Sequence, residues 1–333
     1  MKRILATLLV LSISLLTLAS CFGGNNSSVQ NGGNNQVTNA KIRIGALSGP
    51  TGMGMAKMIS DNGLDSDKYA FTVFGSPEDA KNAFAAGDVD AICFPTNTAA
   101  NLFGALKGEL YVAAINCLGS LYLITDAETE IKSISDLEGK TIYASVPNST
   151  TAPIVNYILE KNNVNATVSF EFNGETLATH DQLSALIAKG EIDIAVLPEP
   201  KATATIAANS SLGLSIDLNL STEWDKISSE PLTMGCIIFK KSFADANKSS
   251  VNAFLDEYKA SIEYINDKNN NESAANMIFE AGILPKAAIA KKALGNLYGS
   301  IVYLDGEDMK SALTSFYSAI GMSAPADSFY YEK

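Results

Sequence analysis

Residues 85–97 read "AAGDVDAICFPTN" and residues 188–200 read "AKGEIDIAVLPEP". Aligned at one constant offset, Gly87 falls on Gly190, Asp90 on Asp193 and Pro95 on Pro198. Each stretch closes a helical pattern with glycine, runs a short apolar strand and stops it at a proline, which has no N–H to give to a ladder. The same order of events twice in one chain points to two similar α/β lobes.

Working outward, "KIRIGAL" (41–47) alternates as a strand and "GMAKMISDNG" (54–63) follows with helical spacing. "YAFTVFG" (69–75) and "VDAICF" (89–94) read as further strands. Between them "SPEDAKNAFAAG" (76–87) reads as a helix with acidic residues in its first turn,. This βαβαβ order implies a mainly parallel sheet with helices on both faces. "GKTIYASVPNSTTAPIVNYILEKN" (139–162) repeats the strand, polar turn and helix of "AKIRIGALSGPTGMGMAKMISDN" (40–62). Two apolar β-rich stretches, 110–126 and 231–241, flank the second unit, and after them only helical patterns are expected, at about 243–267, 272–281, 286–293 and 306–320. A chain that leaves the first lobe near residue 122 and returns near 235 makes two crossover strands. The predicted fold is therefore α/β, two similar Rossmann-like lobes joined by two crossover hinge strands, with a cleft between them. Lobe 1 is expected to span 41–122 plus 236–333, and lobe 2 residues 123–235.

The N-terminus has a different composition. Lys2 and Arg3 precede an apolar run, "ILATLLVLSISLLTLAS", so residues 1–20 read as a secretory signal,. Leu18, Ala19, Ser20 and Cys21 resemble a bacterial lipobox, which makes Cys21 the expected lipidation site. Residues 21–40 are rich in Gly, Asn and Ser and read as a flexible tether,. A domain held by acyl chains at the outer face of a membrane follows from these features; an N-terminal transmembrane anchor is the alternative. The whole chain of 333 residues carries a net charge of −12, and losing Lys2 and Arg3 takes it to −14. No basic run is present, which argues against a nucleic-acid partner. Cys93, Cys117 and Cys236 lack metal-ligand spacing and share the chain with one histidine,. They read as buried apolar side chains, with one disulfide as the alternative, and no metal or cofactor is expected.

The duplicated "GDVDAICFPTN" and "GEIDIAVLPEP", the "LSGPTGMGMAK" start (47–57), "SISDLEGKTIYA" (133–144) and "LTMGCIIFKKSF" (232–243) together resemble solute-binding lipoproteins of ABC importers. The branch is that of nitrate, sulfonate, taurine and thiamine-pyrimidine-precursor binders, with the type II periplasmic-binding-protein fold. The resemblance covers 41–333; its phrases specify the fold well and the ligand poorly. It implies a monomeric, non-enzymatic protein anchored outside the cytoplasm, partnered by a small solute and an ABC permease. The solute would be a nitrate- or sulfonate-like anion or a pyrimidine-like heteroaromatic.

In open α/β sheets, ligands bind beyond the carboxyl ends of the strands. Four loops then become candidates: Ser48, Gly49, Pro50, Thr51, Gly52 and Met53 after the first strand; Thr96 and Asn97; Ser149, Thr150 and Thr151; and Glu199 between its prolines. Thr233 and Met234, where the hinge opens on the cleft, complete the set. Each has a plain alternative. The glycines equally serve positive φ and close packing. Thr96, Asn97, Ser149 and Thr150 read equally as helix caps. Glu199 suits either a ligand amine or a helix N-terminus, and Met53 with Met55 either a pocket or the core. Trp224 and the sole histidine, His180, read as structural, His180 as a capping or surface residue.

Enzyme readings are weaker. Gly54 is followed by Met55 and Ala56, so no P-loop lysine is placed, and the glycine spacing is not GxGxxG,. A biosynthetic enzyme on the same scaffold and a binding lipoprotein reporting to a membrane sensor are the alternative functions.

Overall fold

The computed structural model describes residues 40–147 and 149–333. The signal 1–20, Cys21 and the tether up to residue 39 lie outside these residues, as does Asn148.

The first unit runs β1 (Ile42–Leu47), α1 (Pro50–Met53), α2 (Ala56–Asn62), β2 (Tyr69–Phe74), α3 (Pro77–Ala86), β3 (Ala91–Pro95), α4 (Thr96–Ala105) and β4 (Leu110–Leu118). Local chemistry sets these boundaries. Ser76 caps α3 by accepting from the Asp79 amide, Pro77 opens the helix, and Gly87 ends it at φ 89°,. Asp90, 4 % exposed, then ties the entry of β3 to β1, accepting from the Arg43 backbone N and Nε at 3.0 Å each.

The second unit runs β5 (Leu121–Thr125), β6 (Thr141–Tyr143), α5 (Thr151–Lys161), β7 (Thr167–Ser169), the small hairpin β8 (Glu171–Phe172) and β9 (Glu175–Thr176), α6 (His180–Ala188), β10 (Ile194–Pro198), α7 (Lys201–Ala208), β11 (Ser215–Asn219) and α8 (Leu220–Asp225). The chain returns through β12 (Thr233–Lys240) and ends with α9 (Lys241–Ala246), α10 (Lys248–Asn266), α11 (Asn271–Glu280), α12 (Ala287–Asn296), β13 (Ile301–Leu304) and α13 (Gly306–Ala319).

These strands build two sheets with related orders, β13-β4-β12-β3-β1-β2 and β11-β5-β10-β6-β7. The expected βαβ pairs, β1 with β2 and β3 and β6 with β7 and β10, are parallel. In each sheet one strand arrives by crossover and lies antiparallel between two others: β12 between β3 and β4, and β5 between β10 and β11. The expected architecture of two α/β lobes and two crossovers is thus observed.

Two readings of the C-terminal part are corrected. It is not only helical, because β13 pairs with β4 at the edge of the first sheet; "IVYL" is too short for a strand period to register. The pattern at 243–267 is two helices, broken at Asn247 (φ −133°, ψ 38°).

The apolar residues divide into three clusters. One packs β1, β2 and β12 against α2, α10, α11 and α12. Another joins α6 and α7 to the second sheet. The third is continuous across both lobes, running from Phe94 and Ile238 to Ile142, Val196 and Trp224. Trp224 is fully buried beside Tyr157 and Phe316, and its Nε1 donates to the Glu230 carbonyl at 2.9 Å. Cys93, Cys117 and Cys236 are buried free thiols; burial pushes Cys93 and Cys117 up to about 12,.

The two crossovers touch. A Cβ on Gly119 would stand 1.8 Å from Ser221 Oγ and 2.7 Å from Ser221 Cβ. Rotating the serine relieves only the first of these clashes. Gly119→Ala is therefore expected to cost about 1–3 kcal/mol of stability through overpacking, and combining it with Ser221→Gly should restore most of the loss. Denaturant melts of the two variants check this.

Candidate functional site

The loop after β1 is held from three sides. Gly49 takes φ 111°, and its carbonyl accepts from Gly52 N and Met53 N at 3.1 and 3.2 Å, forming the single turn of α1 on Pro50. A Cβ on Gly52 would lie 2.0 Å from the Leu47 carbonyl oxygen, so the turn closes directly onto its own strand. Both roles proposed for these glycines therefore coexist. Asn116 on β4 donates from Nδ2 to the Thr51 carbonyl at 3.1 Å, while Ser48 is exposed and Thr51 partly so.

The loop after β3 departs from the capping reading. α4 starts at Thr96 itself, and no side chain caps it. Thr96, 1 % exposed, uses its hydroxyl to donate to the Thr233 carbonyl at 3.2 Å, and its own carbonyl accepts from Tyr317. Asn97 is partly exposed, its Oδ1 accepting from Thr98 Oγ1 at 3.3 Å. Thr233 is fully buried, and Met234 packs between two apolar clusters. Met53 and Met55 are fully buried in the first core, which is the packing alternative.

In lobe 2, Ser149 Oγ donates to Thr151 Oγ1 at 3.1 Å and accepts a long bond from the Thr151 amide at 3.4 Å. Thr150 precedes α5 without a side-chain cap bond; it and Ser149 are partly exposed, and Thr151 is buried. Glu199 is 1 % exposed and accepts from Thr203 N and Oγ1 and from Asn296 Nδ2, at 3.3, 2.8 and 2.5 Å. Its helix-terminus alternative is therefore realised, with a further donor added from the other lobe. Burial raises its pKa, and the Asn296 and Thr203 bonds pull the other way,.

The lobes approach one another at these loops: a side chain on Gly49 would meet the Pro200 ring at 3.9 Å. All four loops stand at the carboxyl ends of parallel strands or the turns that follow, the edge at which such sheets take ligands,.

Reading the sequence missed a polar group on the same edge of lobe 2. Ser145, 1 % exposed just beyond β6, shares a hydrogen bond of 2.7 Å with His180 Nδ1. Burial lowers the His180 pKa, and Lys201 adds to this by repulsion while Asp181 opposes it. Lys201, the first residue of α7, pairs with Asp181. The sequence reads His180 as a capping or surface residue; Thr179 and Gln182 form the capping box instead, and the partly buried imidazole bonds Ser145,. Among the described residues no three His, Cys, Asp or Glu side chains converge to hold a metal, and no helix is long and apolar enough to cross a membrane.

Residues 69–234 match the family model of the ABC transporter, phosphonate, periplasmic substrate-binding protein. No protein with a curated description matches the chain. Solved structures with this fold include an ABC transporter from Parabacteroides distasonis, 22 % identical, with 88 % of this chain and 99 % of that one covered at a TM-score of 0.70. The periplasmic aliphatic sulphonate binding protein SsuA from Escherichia coli is 15 % identical over 88 % and 92 % of the chains, with a TM-score of 0.66. The periplasmic nitrate-binding protein NrtA from Synechocystis PCC 6803 is 11 % identical over 84 % and 80 %, at 0.57. These identities speak for the fold, the type II periplasmic-binding-protein architecture, while the family match speaks for the role. The chain thus stands among the solute-binding components of ABC importers, through residues 69–234, which match that family's model.

Proposed function

We propose that the chain is a monomeric extracytoplasmic lipoprotein, anchored through Cys21, that closes on a small tetrahedral oxyanion of the phosphonate or sulfonate class and delivers it unchanged to its permease. The observation that carries the ligand class is the run Ser149–Thr151 at the start of α5, which follows β6 as the turn at Ser48–Thr51 follows β1. Hydroxyls and free amides at a helix start hold an anion without a cationic side chain. The phosphonate description of the matching family favours the same class. Asn97 and the Ser145–His180 pair add polar partners at the same edges, and Lys201, paired with Asp181, adds a positive charge beside His180.

Glu199, Thr233 and Thr96 are covered in this conformation, so their part is to shape and close the site; Ser48, Thr51, Asn97, Ser149 and Thr150 remain the direct contacts. Lobe 1 is taken as 41–122 plus 236–333 and lobe 2 as 123–235. Binding stabilises the closed arrangement by population shift, and closure presents the surface that the permease reads.

Calorimetry with methylphosphonate, methanesulfonate, nitrate and a pyrimidine tests the class: heat from one or both tetrahedral anions is expected, and heat from the pyrimidine alone would reverse the assignment. Asn97→Ala and Thr150→Ala are each expected to weaken binding by about 1 kcal/mol, the net worth of a neutral hydrogen bond.

A second expectation concerns pH. The folded-state pKa of His180 lies below its unfolded value, so the unfolded chain binds the proton more tightly,. The stability contributed by the neutral imidazole is present above about pH 6.5, the unperturbed value, and is lost as pH falls from there towards the folded pKa. Thermal melts from neutral to mildly acidic pH should show this loss, and His180→Gln should flatten it.

A further inference from the structure

Asn296 ends α12, whose apolar face lies in the same core as β1 and α10 of lobe 1. Its partners belong to lobe 2. Nδ2 donates to Glu199 Oε1 at 2.5 Å and to Thr203 Oγ1 at 3.2 Å, which uses both amide hydrogens,. Its backbone carbonyl accepts from Tyr122 OH at 2.7 Å. Tyr122 stands on β5 directly after the first crossover, and Glu199 and Thr203 flank the start of α7. Three hydrogen bonds from one residue therefore span the two lobes. The cluster is dry on its lobe 2 side, with Glu199 1 % and Thr203 6 % exposed. Among the described residues Glu199 has no cationic partner within salt-bridge distance, so its carboxylate depends on these neutral donors. Beside them opens a pocket of about 280 Å³ lined by Thr203, Ile206, Ala207, Ile216, Lys292 and Asn296.

We propose that Asn296 is the positioning residue that latches the two lobes together before any solute arrives. Separating the lobes breaks all three bonds at once and leaves Glu199 with Thr203 alone. A bond from a neutral donor to a buried carboxylate is among the stronger hydrogen bonds. The latch thus raises the fraction of binding-competent, closed protein, and apparent affinity scales with that fraction. Asn296 lies on α12, outside the loops assigned to direct solute contact, so its effect on affinity runs through closure and through the Glu199 it holds. The inference rests on the two-lobed clamp reading but not on the identity of the solute.

The test measures the interlobe distance without ligand. Spin labels are placed on cysteines introduced at the exposed Ser60 of lobe 1 and Lys189 of lobe 2, and distances are read by double electron–electron resonance. The wild-type latch should give one short distance, and Asn296→Ala should move the population to a longer one. Asn296→Asp places a second carboxylate against Glu199, which opens the lobes at neutral pH; on acidification a proton shared by the pair should close them again. The groups facing this pair are Thr203 from α7, Tyr122 from β5 and, across the pocket, Lys292 from α12. Reclosing on acidification also shows that the variant is folded. Identical distributions for wild type, Asn296→Ala and Asn296→Asp at both pH values would overturn the latch, as would a long distance in the wild type. Once a solute is in hand, Asn296→Ala should weaken its binding about tenfold or more. An unchanged affinity in a variant that has opened would overturn the link from latch to affinity. Failure of every tetrahedral anion to bind would count against the ligand class and leave these distances standing.

Discussion

Each sheet of this protein depends on a strand delivered from the other side of a crossover. β12 reaches the first sheet after the whole of the second unit has been built, and it lies between β3 and β4 as the strand that joins them. β5 does the same for β10 and β11. Neither lobe therefore has a continuous sheet without its crossover strand. The connections have to run close together, and the contact of Gly119 with Ser221 is where that constraint is tightest. A side chain there would force apart the two segments that connect the sheets.

Charge is used sparingly around the cleft. Asp90 has Arg43 as its partner and serves to tie strands of lobe 1 together. Glu199, which follows β10 in the second unit, has only Thr203 and Asn296 among the described residues. The first is a structural ion pair with one partner open to water. The second is a buried acid held by neutral donors, which is costly to ionise and therefore sensitive to what surrounds it. Two related supersecondary units thus place an acid on either side of the same kind of strand, one for cohesion and one for contact across the cleft.

The sequence was most legible where local chemistry sets the outcome. Gly87 and Gly190 end their helices, Pro95 and Pro198 end buried strands, and the duplicated phrases around them carried the two-lobed reading. It was least legible where tertiary contacts decide. Asn296 is separated from Glu199 by 97 positions, and nothing in "KKALGNLYG" marks it. His180 followed a threonine and preceded a helix, the pattern of a cap, yet Thr179 and Gln182 did the capping. Thr96 stands just before an expected helix and so reads as a cap, yet its hydroxyl donates to the Thr233 carbonyl on the neighbouring strand. β13 was missed because four residues at a sheet edge carry too little periodicity to separate from their helical neighbours,.

The nesting of the lobes also orders events during synthesis. All five strands of the second sheet lie between Leu121 and Asn219, so that sheet has its full set of strands while the chain is still being extended. The first sheet has β1 to β4 early but waits for β12 at Thr233 and for β13 near the end of the chain. Its completing contacts span more than a hundred residues, and contacts of that span are slow to form,. Until then the apolar edges of β3 and β4 stand open, and lobe 1 is the half of the molecule that a chaperone would have to shield.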